Sequence, residues 1–300
     1  MAKLPSIPRL PGDEATFVGG RFSGPVVARE PAARKPPKKA VAKKPVAKKP
    51  VEEVRTVNDF LKVVFDFAHQ DDVLFRGQRR ASWGLEPTLA RITARNDGDT
   101  PLDVEDELMR RFKRQYLPHF NGVLTDDWEV LAVAQHHGLN TRMLDWSQNP
   151  LAALWFAVRK PAEGEPGKPK EPGAVFMFQP AKHEDYADVE RESKKSPYEV
   201  NRTLFYQPNH RTQRIVAQSG WLSVHAWSEA DGKFSRLDKL DHYSGRIKQV
   251  HIPPGAFSDI RNHLDRIGVN EATLFPDLDG LCTHLNWYHS LLKDEIRSRR

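Results

Sequence analysis

The sequence predicts an α+β protein: a single compact domain with a mixed, twisted sheet flanked by helices, behind a disordered basic arm. Three observations predict it. The chain has 300 residues and 39% hydrophobic content, and its seven Trp and all but two of its fifteen Phe fall from residue 60 on. Strand-like and helix-like runs are interspersed there without a regular β-α-β rhythm, which argues against a doubly wound sheet. The first fifty residues have a different composition, rich in Pro, Lys and Ala. The division is therefore an arm over 1–53 and a domain over 54–300, roughly 245 residues, near the upper limit for one hydrophobic core.

The arm repeats a Val-Ala-Lys-Lys-Pro unit. Proline breaks helices and removes ladder donors. Like charges repel and nothing large is available to bury, so the segment is expected to be extended and partly polyproline-like. The formal net charge of +6 is concentrated here: nine basic residues run from Arg29 to Lys49, opposed only by Glu30. Without them the balance is close to neutral, so the arm carries the electrostatic signal. It reads either as a solvated tail or, through residues 29–50, as a non-specific clamp on nucleic acid, each Lys releasing a counterion from a phosphate.

Cys282 is the one cysteine, which excludes an internal disulfide and a Cys-built zinc site. The N-terminus lacks a secretory h-region. The longest apolar run, Leu151 to Val158, is too short to span a bilayer. A cytoplasmic protein with no membrane partner is expected.

Val57-Asn58-Asp59 and the following FLKVVFDFAH read as a capped amphipathic helix. Asp72 to Gly77 reads as a short buried strand ending on glycine, and Pro87 to Arg91 as a loop or short helix. Helices follow at Val104–Tyr116, at Trp128–Gln135 (stopped by His136-His137-Gly138) and at Leu151–Arg159, the last apolar almost all round and so buried. Pro161 to Pro172 is a loop, Ala174–Phe178 a strand, and Ala181–Tyr198 a charged loop that admits a short helix. Arg214 to Gln218 leads through Gly220 into a strand, WLSVHAW, and Arg246–Ile252 alternates as an edge-exposed strand should. Pro254–Ile267 is a helix, Ala272–Phe275 a short strand, and Gly280–Arg297 the final helix.

Four constellations can carry chemistry. Arg76, fixed at a strand end beside Gly77, can present its planar fork to a phosphate while the backbone approaches closely. The segment from Gln135 to Ser147 is dense in polar groups directly before the most apolar helix, so it is a satisfied internal network or a ligand site. Within it Gln135, His137, Arg142, Asp145, Trp146 and Ser147 are candidates: His137 is of the residue type that can act near neutral pH, and Asp145 can orient His or Arg. Structural alternatives are that Ser147 caps the helix containing Pro150 and that Arg142 pairs with Asp145. Asp277 and Asp279 follow a predicted strand and precede a helix, whose N-terminus favours negative charge. One of them can instead face Arg76. Arg214, Gln218 and His225 are candidate pocket liners, or else polar decoration of a strand edge.

Other chemistries fit less well. No Gly-x-Ser-x-Gly elbow surrounds Ser147, which argues against a serine hydrolase. Adjacent His136 and His137 point in different directions, so no metal site is predicted. A nuclease using Asp145, Asp277 and Asp279 requires carboxylates far apart in sequence to meet. No Gly-rich phosphate loop is present.

These segments resemble the FRG-domain family, named for its Phe-Arg-Gly motif, through LFRGQ at 74–78, QHHGLNTRMLDWSQNPLAALWFA at 135–157, RIVAQSGW at 214–221 and TLFPDLDGL at 273–281. The family occurs mostly in bacterial and phage-related proteins, which implies a toxin or phage-defence effector. A looser resemblance is to ADP-ribosyltransferases of the Arg–Ser–Glu type. There an Arg-Gly strand end holds NAD, a serine-bearing strand precedes an Ala-x-x-Phe-Ala-like helix, and a later strand carries a catalytic Glu. Arg76-Gly77 matches the first element, and Ser147 with Ala153–Ala157 the second. Glu271 lies one residue from the third, at whose place stands Ala272, and a one-residue shift on a strand reverses the face. Asp277 or Asp279 would then have to supply the acid.

The resemblance thus implies an ADP-ribosyltransferase-like fold and NAD as the nucleotide-type ligand. Arg76, Ser147, Glu271 and Asp277 would be catalytic, and Gly77, Gln135, His137, Arg142, Asp145, Trp146, Arg214, Gln218 and Asp279 would bind the ligand, with Trp146 stacked on the nicotinamide. The alternative is a non-catalytic nucleic-acid module that uses the arm.

Overall fold

A computed structural model describes residues 51–300 apart from 69–71, 121, 165–166, 182–184, 188–195, 209–212 and 297–300, and gives the backbone alone at 213–215 and 244. The basic run of the expected arm lies outside the described residues. Two residues assigned to the arm, Glu52–Glu53, form a strand, β1.

Thereafter come α1 (Val57–Phe67), β2 (Leu74–Gln78), α2 (Pro101–Gln115), α3 (Asp127–His136), β3 (Met143–Ser147), α4 (Pro150–Val158), β4 (Gly173–Phe178) and β5 (Leu204–Tyr206). Then follow α5 (Gln213–Gln218), β6 (Gly220–Val224), β7 (Trp227–Ser228), β8 (Lys233–Phe234), α6 (Asp241–Ser244), β9 (Ile247–Ile252), α7 (Phe257–Arg266), α8 (Glu271–Leu274) and α9 (Leu278–His289). The result is α+β, as the interspersed runs predict.

Local chemistry sets the helix starts. Thr56 caps α1, its hydroxyl accepting from the Asp59 amide at 3.0 Å. Thr100 and Asp103 form a capping box ahead of α2, with Pro101 in the first turn. Asn149 caps α4, accepting from Leu151 N at 2.9 Å. Ser147 is therefore not the cap; its hydroxyl accepts from the Asn149 amide at 2.9 Å instead.

Seven strands form one sheet in the order β1-β9-β4-β2-β3-β6-β5. Only the β1–β9 pairing is parallel. β9 is thus not a free edge, since two residues of β1 cover part of it. Side chains alternate across the sheet. Phe75, Val175, Met177, Val250 and Ile252 join α1, α4 and α7 in one core cluster. On the opposite side Leu74, Phe176, Phe178 and Trp146 pack with Phe205, Leu237 and Tyr243. A third cluster joins α3 to β5 and β6. α4 lies so close to β2 that a Cβ at Gly77 would stand 1.8 Å from the Ala153 carbonyl oxygen. The close approach that requires glycine there is made by a helix.

Three expected elements differ, and one stretch to which no element was assigned is helical. Residues 271–274 are helix α8 and not a strand, because Asn270 and Thr273 form a reciprocal capping box that turns the chain. The expected strand WLSVHAW is two strands, β6 and β7, separated by His225-Ala226. Arg214 to Gln218 is helical, within α5. The last helix begins at Leu278, capped by Asp277, and ends at His289, where Ser290 turns extended. The segment Ala181–Tyr198 lies largely outside the described residues. No helix among the described residues is long and apolar enough to cross a membrane.

Candidate functional site

β2 pairs with β4 along all five of its residues, and β3 pairs with β6 along all five of its own. Between them β2 and β3 meet only at Phe75 and Ser147. Beyond that bridge the two central strands splay, and Arg76 spans the gap: its Nη1 donates to the Asp145 carbonyl at 2.6 Å. A cavity of about 440 Å³ opens here, lined by β2, β3, the end of α3, one face of α4, and Gln218 and Phe275 from later in the chain.

Most of the polar wall is fixed from behind. The Asp145 carboxylate accepts from Gln135 Nε2 at 2.8 Å, and Gln135 Oε1 accepts from the Thr141 hydroxyl at 2.6 Å. The same carboxylate lies 3.9 Å from Arg76 Nη1. Ser147, buried, donates to the Gln218 carbonyl at 2.5 Å. The Gln218 side chain donates to the Leu274 carbonyl at 3.0 Å, tying β3 through α5 to α8. The turn that places Gln218 contains Ser219 at φ 47°, a left-handed conformation that costs a non-glycine residue on the order of 1 kcal/mol.

Two guanidiniums face this space with little compensation. Arg76 Nη2 has no hydrogen-bond partner among the described residues, and burial lowers the Arg76 pKa to about 10, with Asp145 opposing the shift and Arg91 adding to it. Arg159, at the end of α4, stacks 5.6 Å from the Trp155 ring centre and 5.7 Å from that of Phe156. It makes no ion pair within 4 Å among the described residues. Burial lowers its pKa too, opposed by Glu271 and reinforced by Arg79. A desolvated cation without a close counter-charge favours a bound anion.

The candidates separate clearly. Arg76, Gly77, Gln135, Asp145, Trp146, Ser147 and Gln218 line this cavity. Trp146 does so from the core: its Nε1 donates to Ser223 at 3.0 Å, and its ring packs on Phe178 and Phe205. It is not free to stack on a ligand. His137 is exposed, and its neighbour His136 lines the wall. Arg142 is not a ligand group. It is 2% exposed and forms a buried fork with Glu105, Nη2 to Oε2 at 2.6 Å, with its Nη1 on the Tyr198 carbonyl at 3.0 Å. His225 is fully buried, with Ser223 3.0 Å from Nε2 and the Ser235 carbonyl 2.8 Å from Nδ1.

The acids are not gathered either. Glu271 lines a neighbouring cavity of about 540 Å³, which shares Arg159 with the first. Asp277 caps α9, accepting from Gly280 N at 2.8 Å, and Asp279 is exposed. Asp145 is the one carboxylate among the described lining residues of the Arg76 cavity. The side chain of Arg214 lies outside the described residues. No group of three or more His, Cys, Asp or Glu that could hold a metal occurs among the described residues.

The sequence did not mark Phe156, Arg159 or Phe275 as site residues, and His136 entered only as a possible metal ligand. The signal for two of them was the termination of the apolar helix: Phe156 and Arg159 stand three apart, on one helical face.

No curated protein and no solved structure matches the chain. Residues 71–165 match the family model of the FRG domain. That span contains β2, α3, β3 and α4, and therefore every lining residue of the Arg76 cavity except Gln218 and Phe275. The protein carries an FRG domain, and the Arg76 cavity is built mainly from it.

Proposed function

We propose that the Arg76 cavity binds a nucleotide-type anion of the NAD kind. The observation that carries this reading is the pair Arg76 and Arg159, two half-buried guanidiniums lining one cavity with incomplete counter-charge. Arg76 has a free edge for a phosphate oxygen, and its position is fixed by its bond to the Asp145 carbonyl. Phe156 and Phe275, whose ring centres lie 6.0 Å apart, supply the apolar surface for a base or nicotinamide ring. A cavity of about 440 Å³ is of the size small-molecule sites have.

Transfer chemistry on NAD breaks the bond between nicotinamide and ribose, its electron pair leaving with nicotinamide, while an acceptor or water oxygen bonds to the ribose carbon and releases a proton. The oxocarbenium-like centre needs a nearby negative charge. Asp145, oriented by Gln135, is the group for that role. Glu271 acts from the adjoining cavity, through its field on Arg159. Ser147 is a positioning residue, since its hydroxyl is engaged on both sides. A role as a toxin or phage-defence effector fits such chemistry.

The test is titration calorimetry with NAD and ADP-ribose, together with nicotinamide release, for the wild type, Arg76→Ala and Asp145→Asn. Binding weakened about 10- to 100-fold in Arg76→Ala, and turnover lost with binding kept in Asp145→Asn, are expected. Binding without turnover in the wild type makes the site a nucleotide sensor; no binding removes the reading.

A second reading rests on the nine basic residues from Arg29 to Lys49. They would hold nucleic acid through phosphate neutralisation. Deleting residues 1–53 should then abolish salt-sensitive DNA binding while leaving NAD binding intact.

A further inference from the structure

Trp155 and Phe156 are adjacent on α4, and successive residues of a helix point about 100° apart. The two rings accordingly serve different spaces: Phe156 lines the Arg76 cavity, and Trp155 lines the neighbouring cavity of about 540 Å³. They stand edge to face at 5.2 Å, and Phe275 braces both, 6.1 Å from Trp155 and 6.0 Å from Phe156. Arg159 lies over this pair, 5.6 Å from the Trp155 ring centre and 5.7 Å from that of Phe156. It is the one described residue that lines both cavities. With its face on the rings, the guanidinium keeps its N–H edge for phosphate oxygens.

The second cavity differs in kind from the first. One wall is α9, which contributes Trp287, half-buried. The indole Nε1 donates to Glu295 at 3.0 Å, and Glu295 is held in turn by buried Arg261 at 2.8 Å and by the Leu292 amide at 2.8 Å. The ring is therefore fixed in orientation. Leu291 and Leu292 extend the apolar surface beside it. The charges on the wall nearly cancel. Arg159 and Lys160 are met by Asp265 and Glu271, and the Arg261 charge is spent on Asp294 and Glu295. Such a space suits an uncharged planar group and not a second anion. An anion held at Arg159 thus has a ring-lined cavity on either side. The nucleotide chemistry of that shape is a dinucleotide, two ring-bearing nucleosides joined through a pyrophosphate.

We propose that the two cavities are halves of one dinucleotide site, with the pyrophosphate across Arg159 and the adenosine in the second cavity against Trp287. This rests on the reading of the Arg76 cavity as a site of the NAD kind and extends it, leaving the nicotinamide ribose beside Asp145. Apart from Trp155, Arg159 and Lys160, every described lining residue of the second cavity lies outside the FRG match at 71–165. The C-terminal part of the chain, and not the matched segment, then selects a dinucleotide over a mononucleotide.

The experiment is calorimetric titration of the full chain with NAD and with nicotinamide mononucleotide, for the wild type, Trp287→Leu and Thr283→Trp. The first variant removes the stacking face. Thr283 is exposed on α9 and lines the second cavity, so a bulky ring there fills it. Circular dichroism and the melting temperature check that each variant is folded. The wild type should bind NAD at least about tenfold more tightly than the mononucleotide. Each variant should lose about 10- to 100-fold in NAD affinity, the loss expected for one base–aromatic stack, with affinity for the mononucleotide unchanged. NAD affinity unchanged in both variants, equal losses for the two ligands, or NAD bound no more tightly than the mononucleotide would each overturn the adenosine subsite and leave the Arg76 reading in place. No binding of either ligand by the wild type would overturn both.

Discussion

Arg76 is the residue on which the site depends. Its guanidinium closes the gap that the backbones of β2 and β3 leave open, and it retains one edge toward the cavity. A charge-assisted bond of this kind contributes roughly 1.5–3 kcal/mol, so Arg76→Ala should weaken nucleotide binding about 10- to 100-fold by calorimetry. Arg76→Lys should recover little, because an ammonium cannot hold the Asp145 carbonyl and a phosphate in one plane. Arg142 illustrates the opposite case. It stands in the same polar segment, yet its fork is spent on Glu105, 37 residues earlier. Arg142→Ala strands a buried carboxylate and should cost roughly 3–5 kcal/mol in a denaturant titration. The sequence offered Asp145 as its nearest acid, and only tertiary packing decides between the two. His225 carries a pH signature. Burial holds its pKa near 4, down from 6.5. The unfolded chain therefore takes up a proton that the folded one refuses. Stability should be constant above about pH 6.5 and fall as pH drops toward 4, in total by on the order of 3 kcal/mol. Urea midpoints at pH 7 and pH 5 measure it.

At the level of elements, α4 and β2 are locked together by the absence of a side chain. Gly77→Ala would drive a methyl into the Ala153 carbonyl, and overpacking of this kind typically costs about 1–3 kcal/mol. The melting temperature should drop, and because α4 carries Phe156 and Arg159, nucleotide affinity should fall with it. The FRG motif was legible as a strand end, but the need for glycine came from α4, a helix much later in the chain, which no local pattern records. Helix α8 was misread for a related reason. Thr-Leu-Phe-Pro has the look of a strand, while the capping box between Asn270 and Thr273 sets the local turn. Its consequence is chemical, since Glu271 opens a short helix and faces the adjoining cavity. Glu271→Gln should leave NAD binding undiminished, and a large loss in the same calorimetric titration would return Glu271 to the site. The helices α1, α2, α3 and α4 were readable from period and caps because their signals are local. β5, three residues long and laddered to β6, was not.

For the whole molecule, the site is a product of sheet topology. A seven-stranded sheet whose central strands share a single bridge has a slot in its middle. The FRG domain supplies most of the slot, and Gln218 and Phe275 close it from the C-terminal half of the chain. Composition located the α+β class and the separate basic stretch, but the convergence of residues 76, 145, 159, 218 and 275 depends on long-range pairing. The most direct measurement is calorimetric titration of the full chain with NAD and ADP-ribose, beside a folded Arg76→Ala. Saturable binding that weakens with added salt and falls about 10- to 100-fold in the variant is the predicted result. No heat with either nucleotide, or equal binding by the variant, would contradict it.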